Sequence, residues 1–470
     1  MQLLGRKKEI ETLEWDLQKS DSQFIALYGR RRIGKTYLIR EMFHDQFFFY
    51  HTGLRGGGMK SQLIAFRASL IQYGHEKCPV LKSWLEAFIE LNVLITAGRP
   101  GRKVIFIDEL PWMDTPKSGM LTGLEYFWNA VVSARQEKDI FLVVCGSASS
   151  WIVKNLLKNT EGLYGRLTDR IQLKPFSLSE CEEYASRLGL GFTRQEVADA
   201  YMIFGGVPYY WSLMNPRLSL AQNVDELVFA ADGKLRDEYR YLYASIFKNA
   251  EMHVKVVEAL AEKKCGMSRE EIIQATGLKN GGNFKILLEE LEQCDFIRSY
   301  VPFGRKNRGT IYQLIDNFTL FYRTFLAHAA RENKGAWLAA LDTPKVQIWH
   351  GLAFERLCLQ HVEQIKRALG VSGIRVGVYS WRGAHAQIDL LLDRADRTVD
   401  VCEIKGSYGE YELDKEEYDK LQRRKLEFVE TTGTRNRCRL VLITFGGLKK
   451  NMYWGAVQSH VSLDDLFTEI

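Results

Sequence analysis

The sequence predicts an α/β chain of several domains, and three observations carry that expectation. The runs Phe24-Ile25-Ala26-Leu27 and Val104-Ile105-Phe106-Ile107 are continuous and apolar, as strands are when helices cover both faces of a parallel sheet. From Ser179 to Cys294 helical periodicity dominates. Alternating runs around 387–392 and 399–405 then return the chain to sheet. A chain of 470 residues exceeds what one core ordinarily organises, so about two to four domains are expected.

Composition narrows the functional classes. The net charge of +6 and pI near 8.7 admit a nucleic-acid partner without requiring one. Eight cysteines, at 78, 145, 181, 265, 294, 358, 402 and 438, are scattered with no C-x-x-C pair. That spacing argues against a zinc site or a disulfide framework and for a reducing cytoplasm. No apolar run reaches membrane-spanning length and Met1–Glu9 has no apolar leader, so a cytoplasmic protein with no membrane association is expected.

Taken in order, Leu4-Gly5-Arg6 with Glu9, Leu13 and Leu17 reads as a turn and an amphipathic helix feeding the first strand. Directly after that strand comes Gly29-Arg30-Arg31-Arg32-Ile33-Gly34-Lys35-Thr36, and the helical run Tyr37–Met42 follows. This G-x-x-x-x-G-K-T spacing makes a phosphate cradle. Gly29 and Gly34 let the backbone curl, the loop N–H groups and the helix N-terminus face an anion, Lys35 reaches the outer phosphates and Thr36 offers a hydroxyl to Mg²⁺. The residues predict ATP as ligand.

Residues 53–58 read as a flexible loop and 61–73 as a helix. Gly98–Arg102 breaks the chain before the strand Lys103–Glu109, which ends in two acids. Asp108 is placed to hold the Mg²⁺ shell and Glu109 to polarise the attacking water, so the pair predicts hydrolysis as well as binding. A third strand, Ile140–Gly146, delivers Ser147 to contact the γ-phosphate or the water. Beyond a helix, Tyr164-Gly165-Arg166 precedes a fourth strand expected at Ile171–Phe176, and Arg166 is the candidate arginine finger, in cis or from a neighbouring copy.

Together, Gly5-Arg6, Gly29–Thr36, Ile107-Asp108-Glu109, Cys145-Gly146-Ser147, Tyr164-Gly165-Arg166 and Gly205-Gly206-Val207-Pro208 resemble the archaeal-type ATPases. These are AAA-like P-loop proteins related to the STAND ATPases, and the likeness covers roughly residues 1–240. It implies that Pro208 sits in a small helical lid near the nucleotide; by composition alone Gly205-Gly206 is a helix stop and turn.

Helical patterns at Cys181–Leu188, Arg194–Phe204, Tyr209–Leu213 and Ala221–Tyr243 form the expected lid. Helices at Glu251–Ala261, Ser268–Thr276 and Gly282–Cys294, then strands at Phe296–Val301 and Thr310–Leu314, make a winged helix. Its basic tip carries Arg305, Lys306 and Arg308, which suit phosphate contact. Glu289, Glu290 and Glu292 on the third helix oppose groove reading, so DNA contact and a structural or dimerising role stand level. The aromatic-rich helix Asp316–Leu326 suits interdomain packing.

The run Gln387–Lys405 reads as strand, turn (Arg394–Arg397) and strand. A hairpin centred on Asp396 sets Asp389 opposite Glu403, with Gln387, Asp389, Glu403 and Lys405 on one face and Ile388, Leu390, Leu392, Cys402 and Ile404 on the other. Asp389, Glu403 and the Ile404 carbonyl are hard oxygen donors suited to Mg²⁺, with Lys405 to steady charge in phosphodiester hydrolysis; a cross-strand ion pair is the structural alternative. Asp389…Glu403-Ile404-Lys405 resembles the core of the PD-(D/E)xK nucleases. The likeness implies a metal-proximal glutamate on the preceding helix, matched by Glu355, and basic residues on the following helix, matched by Lys420, Arg423 and Arg424. Ile388 departs from the family's proline.

The fold class expected is therefore a multidomain α/β protein with a P-loop AAA-like parallel sheet (1–180), a helical lid (181–248), a winged helix with its linker (249–335) and a restriction-endonuclease-like α/β domain (336–470). The leading reading is an ATP hydrolase controlling a nuclease that uses Mg²⁺, or Mn²⁺, on DNA, in a homo-oligomer. The alternative is an ATP switch whose nuclease-like domain binds nucleic acid or a partner without cutting.

Overall fold

The computed structural model describes residues 3–158, 162–163, 165–247, 250–263, 265–305, 309–327 and 334–470. Tyr164, Lys306 and Arg308 lie outside the described residues. The chain forms two compact units, Met1–Lys174 and Pro175–Ile470.

The first unit is built on five parallel strands: β1 (Gln23–Tyr28), β2 (Phe49–Thr52), β3 (Lys103–Asp108), β4 (Ile140–Gly146) and β5 (Asp169–Gln172), in the order β2-β3-β4-β1-β5. Every residue of β1 and β4 is buried, which explains their unbroken apolar character. Phe24 and Ala26 join Phe66, Trp84 and Phe88 in one core layer, while Ile25 and Leu27 join Leu13, Leu38 and Ile39 in the other. Alternate side chains of one strand thus anchor helices on both faces.

Two expectations change here. The short edge strand β2 carries no periodicity long enough to read from sequence. The fourth strand spans Asp169–Gln172 rather than 171–176. The Leu173 N–H still donates to the Tyr28 carbonyl at 2.7 Å, but Pro175 has no N–H with which to carry the ladder on.

The second unit opens with the helices Leu178–Arg187, Arg194–Phe204 and Pro208–Ser212; Ser177–Glu180 and Thr193–Glu196 capping boxes start the first two. The helix expected at Ala221–Tyr243 is broken. It runs Leu220–Val224, widens into a π turn at Asp225–Phe229, and resumes only at Glu238–Ala244. The Asp225 carboxylate accepts the N–H groups of Trp337 and Leu338 at 3.0 Å each. A Cβ on Gly233 would lie 2.7 Å from the Leu227 carbonyl, which holds the return turn to glycine.

Next come the helices Ala250–Glu262, Arg269–Thr276 and Gly282–Gln293, with β6 (Met267–Ser268), β7 (Ile297–Tyr300) and β8 (Ile311–Leu314) in an antiparallel sheet ordered β6-β8-β7. The acids of the third helix have partners inside this subdomain: Glu290 with His253 at 2.8 Å, and Glu292 with the Ser299 N–H and hydroxyl at 2.8 and 2.6 Å.

The chain then passes through the helix Pro344–Gln360 into β9 (Val376–Arg382), β10 (Gln387–Arg394) and β11 (Thr398–Lys405). The short β12 (Tyr411–Glu412), the helix Lys415–Thr432, β13 (Arg437–Thr444), β14 (Leu448–Lys449) and β15 (Ser459–Ser462) complete it. The sheet order is β15-β13-β11-β10-β9, with β11, β13 and β15 parallel and the β9-β10-β11 meander antiparallel. Among the described residues, no helix is long and apolar enough to cross a membrane.

Candidate functional sites

In the first unit the site grows out of the end of β1. Gly29 has φ +148°, and a Cβ there would lie 2.3 Å from the Leu173 carbonyl, so only glycine lets the loop pass β5. Gly34 has φ +90° with open space where a Cβ would point, which leaves its backbone free to approach a ligand. Arg32 is also left-handed, at φ 71°, and Arg6 supports the loop by donating to the Ile33 carbonyl at 3.2 Å. Arg30 and Ile33 are buried and Arg31 is half-buried.

Lys35 opens the helix Lys35–Met42. It is buried, and its Nζ donates to the carbonyls of Gly29 and Arg30 at 2.9 and 2.8 Å. The Thr36 hydroxyl donates to Asp108 Oδ2 at 2.7 Å, and Asp108 Oδ1 accepts the Glu109 N–H at 2.9 Å. Glu109 adopts φ 48°, which turns its side chain toward β4. There its Oε2 accepts the N–H and hydroxyl of Ser147 at 3.1 and 2.9 Å. Burial pushes the Glu109 carboxyl up, against the pull of the Ser147 donors and Lys35. The result is a carboxylate more basic than an exposed one, fixed by two donors, which suits proton removal from water. The Thr36 hydroxyl and Asp108 carboxylate, already in contact, form a hard-oxygen pair of the kind Mg²⁺ takes beside phosphates.

Arg166 is exposed in the turn before β5, with its N–H donating to the Leu163 carbonyl at 3.2 Å. Pro208 belongs to the second unit, at the first position of the helix Pro208–Ser212. The glycines before it have a packing role: a Cβ on Gly206 would lie 1.9 Å from the Phe176 carbonyl, and the Phe176 N–H donates to the Gly206 carbonyl at 2.7 Å.

The second site lies on β10 and β11. Their pairing runs from Arg394↔Thr398 to Leu390↔Cys402 and ends one residue short of Asp389 and Glu403. Gln387 Nε2 donates to Asp389 Oδ1 at 2.5 Å. Lys405 bridges Glu403 and Glu417 at 3.1 and 2.9 Å, and Arg424, from the helix Lys415–Thr432, binds the other Glu403 oxygen. Ile404 pairs with Ile443 of β13. The face assignment needs one correction. The pairing of β9 with β10 shifts between Ile388 and Leu391, and Ile388 packs with Leu391, Val401 and Phe428, not with Leu390 and Leu392. A β-bulge makes that change of face.

Glu355, on the helix Pro344–Gln360, interacts electrostatically with both strands. Burial, then the neighbouring Asp389 charge, pushes its carboxyl up to about 8. Asp389 is raised too, by burial first and then by Glu403. For Lys405 the carboxylates of Glu403 and Glu417 outweigh burial and raise the ammonium. Glu355, Asp389 and Glu403 fit a hard divalent cation by donor chemistry, but Glu403 is engaged by Arg424 and Lys405. Among the described residues, the trio whose ligand atoms all fall within 4.8 Å is a different one, His75, Cys78 and Glu90. There His75 pairs with Glu90 at 2.5 Å beside a buried thiol, a grouping that cysteine spacing alone does not reveal. None of the eight cysteines is in a disulfide.

Sequence reasoning missed Arg298, on β7. Its Nε donates to Gln313 Oε1 at 2.8 Å, its guanidinium lies 5.0 Å from the Tyr300 ring centroid, and it acts electrostatically on Glu355 and Asp389. A basic residue in a short strand was the available signal, and it does not specify a partner.

A buried parallel sheet whose strand β1 runs into a Gly-Lys-Thr cradle, with paired acids at the end of β3, defines the first unit as a P-loop ATPase domain. Residues 3–213 match the family model of an ATPase domain found predominantly in Archaea. An uncharacterized protein of Methanocaldococcus jannaschii is 23% identical over 410 residues, covering 86% of this chain and 87% of that one. An uncharacterized ATP-binding protein of the same organism is 42% identical over 43 residues, 9% of this chain and 73% of that one. Among solved structures, a Walker-type ATPase of Pyrococcus abyssi aligns with TM-score 0.48 at 18% identity, over 68% of this chain and 95% of that one. The ORC2 protein of Aeropyrum pernix, in ADPNP–ADP complexes, aligns with TM-score 0.44 at 12% identity, over 74% and 95%.

Proposed function

We propose that the chain hydrolyses ATP and that its nucleotide state governs a metal-dependent DNA nuclease in the C-terminal domain. The observation that carries the hydrolase half is the paired contact Thr36–Asp108 and Glu109–Ser147 at the mouth of the cradle. In this reading the N–H groups of residues 29–36 and the Lys35 ammonium bind the phosphates. Ser147 orients Glu109, and Glu109 takes the proton of the attacking water. Thr36 and Asp108 would hold Mg²⁺, which when bound neutralises phosphate charge. Arg166, exposed, serves as a finger toward a neighbouring copy in a homo-oligomer, and Pro208 belongs to the lid. The proposed setting is a reducing cytoplasm, and the proposed partner is DNA.

The nuclease half draws on the electrostatic contact of Asp389 with Glu403 and Glu355 next to the end of the β10–β11 pairing, with Lys405 two residues on from Glu403. Glu355, Asp389, Glu403 and the Ile404 carbonyl would hold Mg²⁺ or Mn²⁺, which when bound activates water and stabilises phosphate charge. Lys405 steadies that charge. The residues 250–314 are read as a winged helix. Its hairpin is docked through Phe303 onto the C-terminal sheet, which favours a structural role over free DNA contact at the tip. A second reading, an ATP switch with a non-cleaving domain, draws on the double ion pairing of Glu403 by Arg424 and Lys405.

The deciding experiment is cleavage of linear, nicked and supercoiled DNA with Mg²⁺ or Mn²⁺, with and without ATP. Wild type is expected to cut and Asp389→Ala to lose cutting. Wild type that cuts none of these in any nucleotide state would establish the second reading in place of the first.

A further inference from the structure

The acidic site is not walled by its own domain alone. A cavity of about 610 Å³ is lined by Glu355, Gln387 and Asp389 and also by Arg298, Tyr300 and Arg382. The two sets of residues are bolted together. Phe303, just past β7, packs against Tyr379 and Phe428 with ring centroids 5.5 and 5.2 Å apart, and its N–H donates to the Ser380 carbonyl at 2.8 Å. The Tyr300 hydroxyl donates to the Cys265 carbonyl at 2.9 Å, so this wall of the cavity is fixed in place.

Arg298 is the unusual member. Burial lowers its pKa, yet among the described residues it has no ion pair within 4.0 Å and its side-chain hydrogen bond runs through Nε to Gln313. Both Nη groups are left for something else. A planar guanidinium beside carboxylates, held by a hydrogen bond and a ring, is pre-set for a bidentate oxyanion. Phosphate is the oxyanion that a neighbouring phosphodiester site would present. The volume lies within the range of about 300–1,000 Å³ typical of small-ligand sites.

We propose that this cavity is a subsite for a single phosphate-bearing nucleotide, delivered as a single-stranded end or as a free nucleotide, with Arg298 binding its phosphate beside Asp389. The substrate class rests on the nuclease reading; the binding test does not. The full chain is titrated with thymidine 3′,5′-bisphosphate in EDTA by calorimetry. The cradle at Gly29–Thr36 is unchanged in every variant, so differences between variants report the cavity. Arg298→Ala is expected to weaken binding about 10- to 100-fold, the loss of a charge-assisted bidentate contact, and Arg298→Lys to restore part of it. Arg382→Glu, at an exposed position on the lining, should weaken binding in the same direction and decides the matter if Arg298→Ala loses its cooperative thermal transition. Unchanged affinity in Arg298→Ala and Arg382→Glu overturns the subsite.

A second arm adds Mg²⁺ and compares a single strand, a blunt duplex and a covalently closed duplex circle. Preference for the strand and the ends supports the proposal and identifies a chain end as the source. Equal cutting of the closed circle overturns it while leaving the nuclease reading intact. Arg298-dependent binding with no cutting of any form supports the subsite, identifies a free nucleotide as its ligand and removes the nuclease reading.

Discussion

At the cradle the ammonium of Lys35 is held by two backbone carbonyls of its own loop. At β10 and β11 three carboxylates stand among Arg298, Lys405 and Arg424, drawn from elements as far apart as β7 and the helix Lys415–Thr432. The first site is written in eight consecutive residues, and its partners enter at the ends of adjacent parallel strands. The second is assembled from five elements and balances charge against charge. A local loop tolerates little change in its key residue. A distributed charge cluster has members whose removal costs stability and others whose removal relieves it.

The comparison is broken most directly at Lys35. Lys35→Ala should lower ATP binding or turnover by about 100-fold or more, measured by nucleotide binding and phosphate release; undiminished hydrolysis would mean that the cradle does not hold the triphosphate. Glu109→Gln should keep ATP binding while slowing hydrolysis about 100-fold, the usual scale of a lost general base; single-turnover rates near wild type would move the base elsewhere.

The pH prediction concerns a group outside both sites. His361 is buried, accepts the Leu178 N–H at 3.1 Å through Nε2 and donates from Nδ1 to the Leu357 carbonyl at 2.8 Å; burial depresses its pKa to about 4. The unfolded chain binds this proton near 6.5, so between the two values unfolding takes up protons. Its stabilising contribution is present above pH 6.5 and is lost as pH falls toward 4, by at most about 3 kcal/mol. His51, in the first unit, is depressed to about 4 by burial and acts in the same direction. Urea unfolding across this range should show the fall, and a flat profile would count against neutral buried imidazoles.

Within the acidic cluster the signs should diverge. Arg424→Ala removes a partner of the partly buried Glu403 and should cost about 1–3 kcal/mol. Glu355→Gln removes a carboxyl that burial and Asp389 disfavour and should stabilise the protein by about 1 kcal/mol while impairing any cleavage. Chemical denaturation of both variants tests the contrast; destabilisation by both would mean that Glu355 is a net structural asset.

Legibility followed the range of the interactions. The limits of β4 and of the helix Arg194–Phe204 agree with the pattern because burial and capping mark their ends locally. The register from Arg394↔Thr398 to Leu390↔Cys402 was readable because a tight hairpin fixes it through the turn at Arg394–Arg397. The break after Val224 was not, since its causes include a carboxylate that reaches Trp337 and Leu338. The bulge that turns Ile388 depends on β9, and the approach of Arg298 depends on how the β7–β8 hairpin docks.

By itself the sequence determined the parallel sheet, the cradle at Gly29–Thr36 with Asp108 and Glu109, and the hairpin that faces two acids. Each is set by periodicity or by contacts a few residues apart, where backbone geometry leaves few alternatives. The tertiary structure alone decided that Ser147 holds Glu109, that Arg424 and Lys405 share Glu403, and that Arg298 enters the acidic cavity from another subdomain. Those pairings are settled by packing between distant elements, and a side chain's partner across such a contact depends on docking geometry that no local pattern encodes.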